Sequence, residues 1–147
     1  MVLLCFAITA CSESYEYTNG IEDYTLQTIT DENIMKLNIG ASGLTCSTGR
    51  KDIVPFNGKY SSGNYNGVDR IFHYPNFDRK SEFTVTINNL NVKSGNFKIV
   101  IINNEKIICE APLNIKEEQF NFENIVWTFS IHIAGENAEF ELKIDII

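Results

Sequence analysis

Apolar and polar residues alternate with a period of two along much of the second half of this chain. Phe83, Val85 and Ile87 alternate with Thr84, Thr86 and Asn88, and Phe97, Ile99 and Ile101 alternate with Lys98, Val100 and Ile102. Ile107 and Cys109 then share one parity, Lys106 and Ile108 the other. Successive side chains leave a strand on opposite faces, so this alternation of Thr, Val, Ile and Phe predicts half-buried β-strands. Turn chemistry separates them, with Lys93-Ser94-Gly95 in the first gap and Asn103-Asn104-Glu105 in the second. Residues 81–109 therefore read as three consecutive antiparallel strands.

The same pattern extends in both directions. Candidate strands cover 24–29 and 34–39, with the turn-prone Thr30-Asp31-Glu32-Asn33 between them, and 68–74, which stops before Pro75. Residues 40–67 are rich in Gly, Ser and Asn and read as irregular. Residues 110–122 read as a connection with a short helical turn around Lys116-Glu117-Glu118. In 125–133, Ile125, Trp127, Phe129, Ile131 and Ile133 share a face, which places Trp127 in the core. A Gly135-Glu136-Asn137 turn leads to a last strand in which Phe140, Leu142, Ile144 and Ile146 alternate with Glu139, Glu141, Lys143 and Asp145. Short strands about every ten residues, with no helix-length amphipathic run, predict an all-β fold: an antiparallel β-sandwich with a jelly-roll-like layout.

The first residues carry an address. VLLCFAITA at 2–10 is too short to cross roughly 30 Å of hydrocarbon, but it matches the apolar part of a secretory leader. Ile8-Thr9-Ala10-Cys11 resembles the lipobox of bacterial lipoproteins, in which the cysteine becomes the first mature residue and carries a diacylglycerol thioether. No Lys or Arg precedes Cys11, a departure from that family's leaders. The other reading is a buried N-terminal strand with an ordinary core cysteine. The resemblance implies a leader at 1–10, lipidation at Cys11, a polar tether over 11–22 and a β-sandwich domain over 23–147. It also implies a protein held on the extracytoplasmic face of a cell membrane, where acyl chains contribute about 0.8 kcal/mol per buried CH₂.

The domain has a resemblance of its own. GKYSSGNYNGVDRIFHY, then SGNFKIVIINNEKII, then FSIHIAGENAEFELKI are similar to the β-sandwich domains of small bacterial lipoproteins, and the layout is similar to jelly-roll domains appended to secreted hydrolases. The likeness lies in turns and apolar positions. It implies a fold and a compartment and carries over no catalytic residue.

Charge narrows the partners. The 147 residues hold 12 Lys+Arg against 19 Asp+Glu, a net charge of −7, with no basic cluster. That disfavours nucleic acid, whose phosphates need clustered cations. His73 and His132 stand in separate strands without metal-ligand spacing, and no serine sits in a G-x-S-x-G elbow. Glu139 and Glu141 share a face that reads as the wet side of a terminal strand, serving solubility and edge protection. Asn64 to Asp69 offers oxygens on a turn, weakly like a calcium loop, and reads more simply as an Asn-Gly turn. Neither a cofactor nor a metal is expected. The aromatics between Phe56 and Phe77 admit two readings: a cover over the core beneath a long loop, or rings that stack on sugars, with Tyr60, Tyr65 and Tyr74 as candidate ligand-binding residues.

Four cysteines complete the inventory. If Cys5 leaves with a leader and Cys11 takes lipid, Cys46 and Cys109 remain in a compartment that permits disulfides. A Cys46–Cys109 bridge and two reduced thiols both fit the sequence. The functional expectation is a lipid-anchored, non-catalytic binding module of the cell envelope, with an unknown protein or glycan partner. A carbohydrate-binding module using surface tyrosines is the alternative, and a small secreted hydrolase a more distant one.

Overall fold

A computed structural model describes residues 25–147, with the side chains of 76–79 left aside. Cys5, Cys11 and the tether lie outside the described residues. The rest is all-β and antiparallel apart from one short helix. The elements are α1 (Asp31–Lys36), β1 (Thr45–Thr48), β2 (Phe56–Asn103), β3 (Lys106–Glu110) and β4 (Glu118–Ile146). They form one sheet in the order β1-β2-β3, with β4 also paired to β2.

The 48 residues of β2 would run roughly 160 Å if straight, so the strand must bend. Its register shows how. Residues 56–62 pair with 146–140, and 65–76 pair with 138–127. Farther along, 85–92 pair with 146–140 from the other side, and 94–103 pair with 139–129. The end of β4 thus lies between two lengths of β2. It is a central strand, not the protected edge that its alternating Glu and Lys suggested.

The segments predicted as separate hairpin strands at 83–88 and 97–102 are successive lengths of one bent strand. Lys93-Ser94-Gly95 and Gly135-Glu136-Asn137 are corners where neighbouring strands bend together. Gly95 (φ +73°) and Asn137 (φ +52°) both take the left-handed conformation there. A corner and a turn demand the same backbone chemistry, so their residues look alike in sequence. Asn103-Asn104-Glu105 is a true hairpin turn, with Asn104 and Glu105 both at positive φ.

Ring contacts link the two lengths of the bent strands. Phe56 and Phe72 lie 5.1 Å apart, Phe83 stacks on Phe129 at 4.3 Å, and Phe97 meets Phe140 at 4.2 Å. These rings belong to one large core. A second, smaller cluster lies on the opposite face, where Val68, Val100, Ile102 and Ala134 pack against Ile29 and Ile34. Burial on both faces explains why 99–102 is an unbroken apolar run.

The N-terminal part corrects the prediction of two strands. Thr30 is the cap of α1: its hydroxyl accepts from the Asn33 backbone N–H, and the Asn33 carboxamide oxygen accepts from the Thr30 N–H at 2.9 Å. Asp31 and Glu32 occupy the positive end of the helix and Lys36 the negative end. Lys98 Nζ sits 2.8 Å from both Asp31 and Glu110, joining α1 to β3. No helical turn forms around 116–118; Ile115 bridges to Leu90, and β4 begins at Glu118.

Glu136 holds this N-terminal segment in place. Its carboxylate accepts from the backbone N–H groups of Gln27, Thr28 and Ile29 at 2.6–2.9 Å and from the Thr28 hydroxyl. Burial alone would raise its pKa, but these donors outweigh it and bring it down to about 2. A folded value below the ordinary 4.5 means that the stabilisation is complete above that pH and fades as pH falls toward 2. Glu136→Gln is expected to lower stability at pH 7 by roughly 1 kcal/mol, allowing for solvent screening. Hydrogen exchange should show the amides of 27–29 losing protection while those of 129–133 keep theirs.

Candidate functional site

The outer face of the sheet around β1 carries a recess of about 380 Å³, within the ~300–1,000 Å³ range of small-molecule sites. Four adjacent strand lengths build it. Ser47 pairs with Lys59, Lys59 with Lys143, and Lys143 with Asn89, giving one row across the sheet. Thr45 and Ser61 begin the next row, which continues through Glu141. The register skips Asn88 between Ile87, opposite Ile144, and Asn89, opposite Lys143, and the Asn88 carboxamide reaches Asp145 instead, a common use of a bulge beside a site.

The charges around this recess are distributed unevenly. Glu141 is paired with Lys93 at 2.9 Å. Asp145 accepts from the side-chain amides of Asn57 and Asn88. Both neighbouring carboxylates are therefore engaged away from Lys59 and Lys143, which stand directly opposite each other, exposed and outside any ion pair among the described residues. Like charges in directly opposed positions destabilise a sheet. This row costs stability, as functional positions often do.

The tyrosines proposed as sugar platforms do not offer their rings to this recess, although Tyr60 borders it. Tyr60 is buried, with its hydroxyl donating to the Ile71 carbonyl at 3.1 Å; Tyr65 is fully buried and edge-on to Phe97 and Phe140. Burial raises the pKa of both, with the Asp69 carboxylate adding to it. Tyr74 is half-buried against Phe83. Tyr60 and Tyr65 cannot stack on a ligand because their rings complete the core where β2 bends, and Phe72 is buried with them. The Asn64–Asp69 turn uses its amides internally: Asn66 donates to Asn64 and accepts from the Asn137 N–H. Among the described residues no three His, Cys, Asp or Glu side chains gather as a metal set.

His132 and His73 lie on the second-cluster face. His132 is buried under α1, and its Nδ1–H donates to the Ile34 carbonyl at 2.7 Å. Burial, together with the nearby Arg70 guanidinium, lowers its pKa despite that bond, and the same two causes lower that of His73. Parity alone puts His132 on a solvated face. That face is covered by the N-terminal segment, which its strand's own sequence does not reveal.

Cys46 is a free, exposed thiol on β1. Cys109 is buried in β3, and the Cys46–Cys109 bridge left open by the sequence is not made. A maleimide reagent is therefore expected to label Cys46 rapidly in the native protein; slow labelling that needs denaturant would contradict its placement.

Trp127 reverses expectation most clearly. It is 51% exposed, with φ +66°. Here β4 passes from pairing with 81–87 to pairing with 76–65, and the irregular step turns Trp127 outward between buried Ile125 and Phe129. Strict alternation fails at such a bulge. As the only tryptophan, it gives a clean readout: its fluorescence should be quenched by iodide in the native state nearly as well as in urea. Strong native protection would place it back in the core.

No protein-family model matches the chain, and no curated protein matches it.

Proposed function

We propose that this chain is a lipid-anchored, extracytoplasmic, non-catalytic binding module whose doubled-over sheet is a β-sandwich of jelly-roll-like layout. Anchoring rests on Ile8-Thr9-Ala10-Cys11. The binding role rests on one observation: the recess on the outer strand face, lined mainly by Ser, Thr, Asn and Lys residues, with Glu141 and the Cys46 thiol also at its wall. Most of these side chains donate and accept hydrogen bonds, and among the described residues no histidine lines the recess to act as a base toward Ser47 or Cys46. The two histidines belong to the α1-covered face, and His132 is engaged with Ile34. The burial of Tyr60 and Tyr65 weighs against a sugar platform made of tyrosines and moves the binding surface to the recess.

Mass spectrometry of protein expressed in a bacterial host tests the address. The mature chain should begin at a Cys11 bearing lipid, and Cys11→Ala should move the protein from the membrane fraction to the soluble one. An unprocessed N-terminus would contradict anchoring.

A further inference from the structure

We infer that the recess binds a carboxylate-bearing saccharide, with the acid group held between Lys59 and Lys143. The inference deepens the binding-module reading and rests on it. In a chain of net charge −7, two ammonium groups sit on directly opposed strand positions. The sheet's ordinary remedy, a cross-strand acid, is next to hand on both sides and is not used. Glu141 goes to Lys93 at 2.9 Å, and Asp145 to two carboxamides. The asparagines are decisive. Asn57 stands opposite Asp145, and Asn88 reaches the same carboxylate from the far side. They occupy both its oxygens with neutral donors, so its charge is engaged without neutralising a lysine.

An anion seated over the pair relieves their repulsion and gains charge-assisted hydrogen bonds. Glu141 also lines the recess, its charge offset by Lys93, and the neutral polar lining residues specify more than an anion. Ser47 and Asn89 flank the two lysines in the same row, while Thr45 and Ser61 begin the next. Hydroxyls and a carboxamide donate and accept at once, which suits the hydroxyl groups of a sugar; bare phosphate needs donors only. A recess of about 380 Å³ open to solvent on the strand face admits part of a chain of sugars without enclosing it. A uronic acid within an oligosaccharide joins these features, with one carboxylate, several hydroxyls and a flat extended shape.

Isothermal titration of the full chain with tetragalacturonate, its fully methyl-esterified form and inorganic phosphate tests this. The acid oligomer should bind, and the ester at least ~10-fold more weakly, since a single charge-assisted hydrogen bond is worth about that factor. Lys143→Gln should weaken acid binding about 10-fold, and Lys59→Gln/Lys143→Gln further. The thermal midpoint of the double variant should stay level or rise, because a like-charge pair has been removed. Equal binding of acid and ester, or unaltered binding by the double variant, would overturn the lysine assignment while leaving a saccharide-binding recess. Phosphate binding as tightly as the oligomer would overturn the saccharide. No binding by any probe would overturn the inference, and the mass-spectrometric result at Cys11 would still decide the anchoring independently.

Discussion

Phe129→Ala is expected to cost about 3–5 kcal/mol of stability. Phe129 is fully buried on β4 and meets three rings: it stacks on Phe83 at 4.3 Å, touches Phe122 at 5.6 Å, and stands edge-on to Phe72 at 6.4 Å. Those partners come from both lengths of β2 and from the start of β4. Removing the ring therefore opens a cavity where lengths of chain far apart in sequence converge, and such sites collapse poorly. Against a typical total of 5–15 kcal/mol, the loss is a large share of what holds the fold. Urea unfolding should show a midpoint shifted down with an unchanged slope. A loss below about 1 kcal/mol would mean that these rings do not share a core.

Gly95→Ala is the second large effect, and its cause lies in the backbone. Gly95 has φ +73°, and a Cβ there would lie 2.1 Å from the Asn137 carbonyl oxygen and 2.8 Å from the Ala138 Cα. The obstacle is the backbone of the partner strand, so it cannot swing aside as a flexible side chain would. Strain of about 1–3 kcal/mol for the disfavoured conformation adds to the clash. The variant should lose at least ~3 kcal/mol or fail to fold. Gly49→Ala supplies the control: nothing lies within 4 Å of a Cβ there, and the substitution should be tolerated. Equal tolerance at both positions would contradict the corner.

The all-β, antiparallel character was legible because alternation is local. Phe83 to Ile87, Phe97 to Ile101 and Phe140 to Ile146 each declare a buried face from their own residues. Connectivity was not, because Gly95 and Gly135 carry the same backbone signal whether a chain reverses or bends; only the paired partner tells which. Trp127 escaped for a related reason. Its parity is that of Ile125 and Phe129, and one irregular step in pairing outweighs parity. The helix could have been found: Thr30 followed three residues later by Asn33, with Asp31, Glu32 and then Lys36, is a capping pattern, but the apolar residues from Ile34 to Ile39 resembled a strand. For the tyrosines the sequence allows core or platform, and burial decides for core.

The recess was not legible at all. Lys59, Asn89 and Lys143 are far apart in sequence and ordinary one by one. They meet because β4 lies between two lengths of β2, a relation set by the corners. Only the pairing also reveals that Asp145 and Glu141 are engaged elsewhere.

Whether the domain meets its ligand at this recess is best tested by amide chemical-shift mapping of ¹⁵N-labelled protein titrated with tetragalacturonate. The shifts should cluster at 45–47, 59–61, 89 and 141–143, leaving α1 and the Trp127 indole unmoved. Shifts centred on Trp127 or under α1, with 59–61 and 141–143 silent, would contradict it.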